Sequence, residues 1–498
     1  MLSQRLRNAA LRERIVTAEE AASWIEDGMT LGFSGFTAAG DVKVIPLALV
    51  ERVKKIGKPF KVNVYTGASI SAHIDGILAE SGIVHRRLPY QSEKRMRAAL
   101  NNGDVCYVDQ HLSHTAELLR SGAIPPVDVA LIEAVAITEE GHLIPSTSVG
   151  NTHIFVAQAK EVIVELNVAQ PLALEGIHDI YDPGYQGHRQ PIPLTQVGQR
   201  IGMTAIPVDP AKIRGIVITN QADVNSAIAP PDDETERMAQ HLLNFLKDEV
   251  SAGRLGPNLA PLQSGVGSIA NAVFAGFLNS DFSDLEIYSE VLQDSVFQLL
   301  DANKVKMASG CSFTLSPETH KHVMANLDKY RDKLVLRPQE ISNNPGLIRR
   351  LGLIAINTAL EVDIYGHVNS THVLGTQMMN GIGGSGDFAR NARLTFFCTK
   401  SYAKKGRISS IVPMCSHVDH TEHDVDIIVT EQGLADLRGL SPRERAKRII
   451  ENCAHPAYRP LLRAYYEEAV ALGGHTPHVI EKAHSFHARY MQTGSMME

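Results

Sequence analysis

Apolar residues along this chain fall into short, near-continuous runs separated by amphipathic stretches. VDVALIEAVAIT (127–138) and KEVIVELN (160–167) are rich in Val and Ile, with few polar positions. A strand wetted on one face alternates. A strand buried on both faces reads as these do, because helices cover both sides of a parallel sheet. MTLGFSGFT (29–37) and KVNVYTGAS (61–69) are similar runs that end in glycine-containing turns. Between them, AEEAASWIED (18–27) and PLALVERVKKIG (46–57) carry helical spacing and stop at glycine. Strands alternating with helices of this length predict an α/β fold.

NQADVNSAIAPPDDE (220–234) breaks the rhythm, since Pro230–Pro231 cannot lie inside a helix. An amphipathic helix follows, with Met238, Leu242, Phe245, Leu246 and Val250 on one face and Gly253 as its stop. The domain boundary is placed in this break, giving domains 1–225 and 226–498, the second carrying the candidate nucleophile Glu290. The second half repeats the alternation. LEIYSEVL, LVLRPQEIS, GLIAINTALEVDIYG, RISSIVPM and VDIIVTEQG read as strands or strand-to-loop segments, and 441–498 reads as charged helices.

A length of 498 residues, 44% of them hydrophobic, exceeds what one core holds and agrees with two domains. Net charge is −7, with no basic block, which speaks against a nucleic-acid partner. No apolar run reaches the ~18 residues that suggest a membrane span. The five cysteines, Cys106, Cys311, Cys398, Cys415 and Cys453, form no CxxC pair. They predict neither a disulfide framework nor a zinc site, and fit a reducing cytoplasm. The arginine-rich start, MLSQRLRNAALRERIV, has the look of a presequence. Glu13 interrupts its positive face, and the apolar pattern continues into the next helix, so a first surface helix is expected.

Five stretches carry candidate chemistry. Glu290, in IYSEVLQDS, reads alone as a strand-end surface acid or as a nucleophilic carboxylate. GVGSIANAVF (265–274) reads as a glycine turn opening a helix, where free N–H groups face an anion. NGIGGSGD (380–387) satisfies GxGxxG, but its context suits an oxyanion or ligand loop better than a dinucleotide fingerprint. Glu431 follows the apolar strand VDIIV, either as a helix-start acid or at the sheet edge where ligands bind. In HVDHTEH, His417, His420 and His423 are expected to be ordinary loop or turn residues rather than metal ligands.

Taken in order, SGFTAAG (34–40), TGASIS (66–71), PLQSGVGSIANAV (261–273), YSEVLQDS (288–295), ISNNPGLIRRLG (341–352), NGIGGSGDFARNA (380–392), VPMCSHVDHTEHD (412–424) and TEQGLADLRGLSP (430–442) cover most of the chain. The series resembles the acetyl-CoA hydrolase/transferase family of class I CoA-transferases. The resemblance implies two CoA-transferase-type α/β domains with the active site between them. It implies an enzyme that exchanges CoA between small carboxylic acids, succinyl-CoA and acetate foremost. Propionyl-CoA:succinate exchange and acetyl-CoA hydrolysis are the alternatives, and an NAD-dependent oxidoreductase is a distant one. It makes Glu290 the nucleophile and assigns oxyanion donation to the backbones of Val266 and Gly384. Asn343 and Glu431 fall around the reacting carbonyl, and Ser69 in the small-acid pocket. CoA contacts fall on Gln263, Ser264, Gly265, Val266, Gly267, Asn380, Gly384 and Lys404, with Leu360 as an apolar wall. The implied partners are acyl-CoA, small carboxylates and a second copy of the chain. Coenzyme A is a substrate; no permanently bound cofactor or metal is expected.

Overall fold

The computed structural model describes residues 2–224, 230–265 and 267–497. By compactness the chain forms two units. One comprises Met1–Ala227, Ile287–Phe297 and Met307–Arg350; the other comprises Ile228–Glu286, Gln298–Lys306 and Leu351–Glu498. The chain therefore leaves and re-enters the first unit after residue 227, and the segments carrying Glu290 and Asn343 group with the N-terminal portion.

The first unit is built on a seven-stranded sheet. Its strands are β1 (Thr30–Phe33), β2 (Val62–Ser69), β3 (Val84–Gln91), β4 (Cys106–Tyr107), β5 (Val129–Ala134), β6 (Glu161–Asn167) and β7 (Ile213–Thr219), in the order β4-β3-β2-β1-β5-β6-β7. Every neighbouring pair is parallel; Leu31, for example, sits opposite Val64 on one side and Val129 on the other. The continuous Val/Ile runs are thus strands buried on both faces: every residue of β5 is buried. The order reverses between β1 and β5, and at such a switch point the carboxyl ends of the strands open a crevice for ligands. SGFTAAG is the loop that leaves β1 there.

The N-terminal arginines are structural. Leu6 and Leu11 are buried, and the Arg5 guanidinium donates to the carbonyls of Val135, Asn167, Val168 and Gln170. In place of one surface helix there are two short turns, Leu2–Arg5 and Ala10–Arg14, tied into the sheet.

In the second unit, β8 (Leu262–Ser264), β9 (Ile354–Thr358), β10 (Leu394–Cys398) and β11 (Ile427–Thr430) lie side by side, followed by an antiparallel edge strand, β12 (Gly433–Asp436). The pairs β8–β9, β9–β10 and β10–β11 are parallel. The helix after the expected break runs Asp233–Ser251 and buries Met238, Leu242 and Leu246, with Phe245 and Val250 half-buried. Asp232 caps it reciprocally with Thr235. Asn225–Ala229 lie outside the described residues. RISSIVPM departs from expectation: it splits into Ile408–Ser409, in a hairpin, and Ile411–Val412, in a three-stranded side sheet. The helices Pro442–Cys453, Arg459–Leu472 and Ser485–Thr493 close the chain.

Candidate active site

Glu290 lies at a bend between two strands, Leu285–Tyr288 and Val291–Gln293. The bend is made by a change of partner. Ser289 N–H donates to Ser309 O, whereas Val291 pairs in parallel with Ser312. The Glu290 carbonyl accepts from both Cys311 N–H (2.6 Å) and Ser312 N–H (3.1 Å), which fixes the backbone. The side chain is buried, and Asn343 Nδ2 donates to its Oε1 at 2.6 Å. Burial disfavours the charged form and raises the carboxyl to about 7; the Asn343 donor opposes this by stabilising the anion. Among the described residues, Asn343 is the side-chain donor that opposes the burial of this carboxylate, and perturbed carboxylates of this kind cluster at functional sites.

Asn343 ends the one-turn helix Gln339–Ser342. Glu340 on that turn is gripped by Arg120 (2.7 and 2.6 Å) and by His153 (2.6 Å). These partners outweigh its burial and hold its carboxyl down, to about 2. Ser69, the last residue of β2, is buried, and its Oγ accepts from Ser71 N–H at 3.3 Å. Thr37, in the SGFTAAG loop, bridges to Ser69 and donates its N–H to Ala68 O. Ala68, Phe36, Leu112, Val291 and Cys311 pack as one small apolar cluster. Neighbours of Ser69 and of Glu290 are thereby packed together within the first unit.

Beneath the SGFTAAG loop lies a buried ionic network that sequence reasoning missed. Lys43 Nζ lies 2.7 Å from Asp41, 3.1 Å from Glu133 and 2.9 Å from Asp223. Asp223 also accepts Gly40 N–H at 3.2 Å, and Glu165 accepts the N–H groups of Lys43, Val44 and Ile45. The signal was present: Glu133 and Glu165 stand alone in apolar strands, and a lone acid there requires a partner.

In the second unit the expected ligand residues gather at the carboxyl ends of the parallel strands. Gln263 and Ser264 end β8, Leu360 follows β9, and Glu431 directly follows β11. Gln263 is buried, and its amide is engaged with Asn357 and Ile356 N–H. Gly265 N–H pairs with Ile356 O. Gly267 precedes the helix Ser268–Leu278 at φ 131°, a conformation other residues rarely adopt. The glycine turn before a helix therefore stands as the sequence indicated; Val266 lies outside the described residues. Leu360 exposes its side chain, and its N–H donates to Asn369 O. Lys404 is exposed, at the tip of the hairpin Tyr402–Ala403/Ile408–Ser409. Glu431 is buried and accepts from Ser401 N–H (2.8 Å), Ser401 Oγ and Gln432 Nε2 (2.9 Å).

Asn380 is half-buried in the glycine loop, and Gly384 caps the five-residue helix Ser385–Ala389. The strand just upstream, Gln377–Met378, belongs to a two-stranded antiparallel ribbon. The strand–loop–long-helix setting of a dinucleotide fingerprint is not what surrounds GxGxxG here. HVDHTEH braces this loop. His420 is buried, with its Nε2 3.1 Å from Ser385 Oγ and its ring 4.7 Å from that of Phe397. Asp419 accepts from Ser370 N–H and Thr371 Oγ1. Of the three histidines, His423 is exposed in the short turn Glu422–Asp424, whereas His420 is buried.

The family model for the acetyl-CoA hydrolase/transferase N-terminal domain matches residues 1–218, and that for the C-terminal domain matches residues 320–466. The chain belongs to the acetyl-CoA hydrolase/transferase family. It is 54% identical over 494 residues to a succinyl-CoA:acetate CoA-transferase of Clostridium kluyveri, covering 99% of this chain and 92% of that one. It is 44% identical over 486 residues to a propanoyl-CoA:succinate CoA transferase of Escherichia coli, covering 97% and 98%. Among solved structures, RipA from Yersinia pestis shares the fold, with a TM-score of 0.72 at 22% identity over 93% of this chain and 99% of that one. Family membership makes the chain a CoA transferase or hydrolase and sets the chemistry against which Glu290 is read. No helix of the described residues is long and apolar enough to cross a membrane.

Proposed function

We propose that this enzyme transfers CoA from succinyl-CoA to acetate through a covalent thioester on Glu290. The observation that carries the proposal is the buried Glu290 carboxylate held by Asn343. The identity to a succinyl-CoA:acetate CoA-transferase supports the choice of acids. Coenzyme A enters as a substrate, with no permanently bound cofactor.

A Glu290 oxygen attacks the thioester carbon; the C–S bond breaks, giving an acyl-glutamyl anhydride and CoA thiolate. The thiolate attacks the glutamyl carbon of the anhydride, the C–O bond breaks, and succinate leaves. Glu290 now carries CoA as a thioester. Acetate attacks that carbon and expels the thiolate, which then attacks the acetyl carbon of the new anhydride and restores the carboxylate. Overall one thioester is exchanged for another of similar energy, with the anhydrides as higher-energy intermediates and no net proton transfer. Dividing one hard displacement into covalent stages lowers the barrier.

Each stage passes through an oxyanion, for which the backbone N–H groups of Val266 and Gly384 are the proposed donors, worth roughly 3–4 kcal/mol each. Asn343 and Glu431 are assigned to the surroundings of the reacting carbonyl, and Ser69 to the small-acid pocket. Gln263, Ser264, Gly265, Gly267, Asn380, Lys404 and Leu360 are assigned to CoA. Lys404 suits a phosphate, as an exposed point charge on a hairpin tip. We also place the enzyme in the cytoplasm as a homodimer; a monomer mass by sedimentation contradicts the latter.

The test is a matrix of acyl-CoA donors against carboxylate acceptors. Thioester exchange that depends strongly on acetate, with succinyl-CoA the best donor, is expected. Thioester loss that is independent of any added acid supports the second reading, an acetyl-CoA hydrolase, which the family name itself keeps in view.

A further inference from the structure

We infer that Tyr288 is a positioning residue for the nucleophile: its phenol holds the turn that carries Asn343 in register with the bend that carries Glu290. The inference rests on Glu290 being the nucleophile.

Two hydrogen bonds of equal sequence offset join these segments. Tyr288 OH donates to Ile341 O at 2.6 Å, and Asn343 Nδ2 donates to Glu290 Oε1 at 2.6 Å, each spanning 53 residues. They are successive rungs between the same two strips of chain. The turn Gln339–Ser342 is four residues long, too short to hold its own place, because an isolated helical turn fixes many dihedrals for one hydrogen bond. Its position is set from outside: Gln339 N–H donates to Gly150 O at 3.0 Å, and side chains supply the other ties. Gln339 Nε2 reaches Leu112 O and Glu340 is held by Arg120 and His153, which tie the turn to the N-terminal sheet's surroundings. Tyr288 is the tie on the nucleophile's own segment. Its side chain is fully buried, and burial raises the phenol far above its ordinary range, so it remains a donor at every working pH. A phenylalanine fills the same space; the hydroxyl matters for the bond it makes.

Among the described residues, the Cys311 thiol, itself raised by burial, is a titratable neighbour of Glu290, and Asn343 is a polar one. Arg337 and Asp179 lie near the phenol. Of these groups, Asn343 alone lies on the turn that the phenol holds. Loosening the Asn343 donor therefore destabilises the Glu290 anion and moves the acidic limb of the pH–rate profile upward.

The experiment compares Tyr288→Phe with the wild type. A roughly tenfold fall in kcat, the usual size for one buried hydrogen bond, is expected, with carboxylate KM nearly unchanged and the acidic limb at higher pH. In an Asn343→Ala background the same change is expected to cost nothing further, because the rung it protects is gone. Wild-type kcat and limb in Tyr288→Phe, or an equal loss in both backgrounds, overturns the inference. Should Tyr288→Phe not fold, Glu340→Gln loosens the same turn from its other side, and a limb left at its wild-type position there overturns the inference. Glu290→Ala run in parallel separates the two levels. Retained exchange in that variant removes the underlying reading, whereas its loss beside an unaltered Tyr288→Phe removes only the role of Tyr288.

Discussion

Glu290→Gln is expected to lose at least about 10⁴-fold in kcat for CoA exchange, a loss of the size seen when a covalent nucleophile is removed, and to fold more stably than the wild type above pH 7. The loss follows from chemistry, since an amide oxygen forms no stable anhydride. The gain follows from linkage. The Glu290 carboxyl is raised to about 7 by burial, so between its unfolded value and 7 the folded state binds the extra proton. Stability from this group is therefore fully present below about pH 4.5 and is lost as pH rises through 7. The penalty above pH 7 is on the order of 3 kcal/mol. Glutamine keeps the shape and carries no charge, so denaturation midpoints of the two proteins should separate at pH 8 and converge at pH 5. Equal midpoints at pH 8 contradict the raised carboxyl. Retained exchange contradicts the nucleophile.

Asn343→Ala is expected to lower kcat by roughly 10²-fold, the scale of removing one donor to a developing or resident charge. It should also shift the acidic limb upward, because the donor at 2.6 Å stabilises the Glu290 anion against its burial. CoA affinity should change little, since Asn343 is proposed to touch the reacting centre alone. A pH–rate profile of kcat checks both parts. A variant with a normal limb and a weakened CoA KM places Asn343 elsewhere than against the nucleophile.

The fold class was legible because β5 and β6 are buried on both faces, and such strands read as continuous apolar runs. RISSIVPM carries the same kind of run but pairs in a hairpin and a side sheet; an apolar run says that a segment is buried, not which partner buries it. The glycine turn before Ser268–Leu278 was legible from residue type, because a φ of 131° at Gly267 demands glycine. The meeting of Glu290 with Asn343 was not, since 53 residues separate them and no local period links them. Only the resemblance of whole motifs joined the two. His420 looked like a loop histidine because its partner, Ser385, lies 35 residues upstream. The Lys43 network spans residues 41 to 223 and left only the unpartnered-looking acids in β5 and β6 as its trace.

The most direct measurement is mass spectrometry of enzyme mixed with succinyl-CoA, quenched during turnover and digested. A CoA-sized adduct on the peptide containing Glu290, removed by added acetate and absent from Glu290→Gln, is the predicted result. Turnover at full rate with that peptide unmodified, or with CoA attached to a different peptide, contradicts the account.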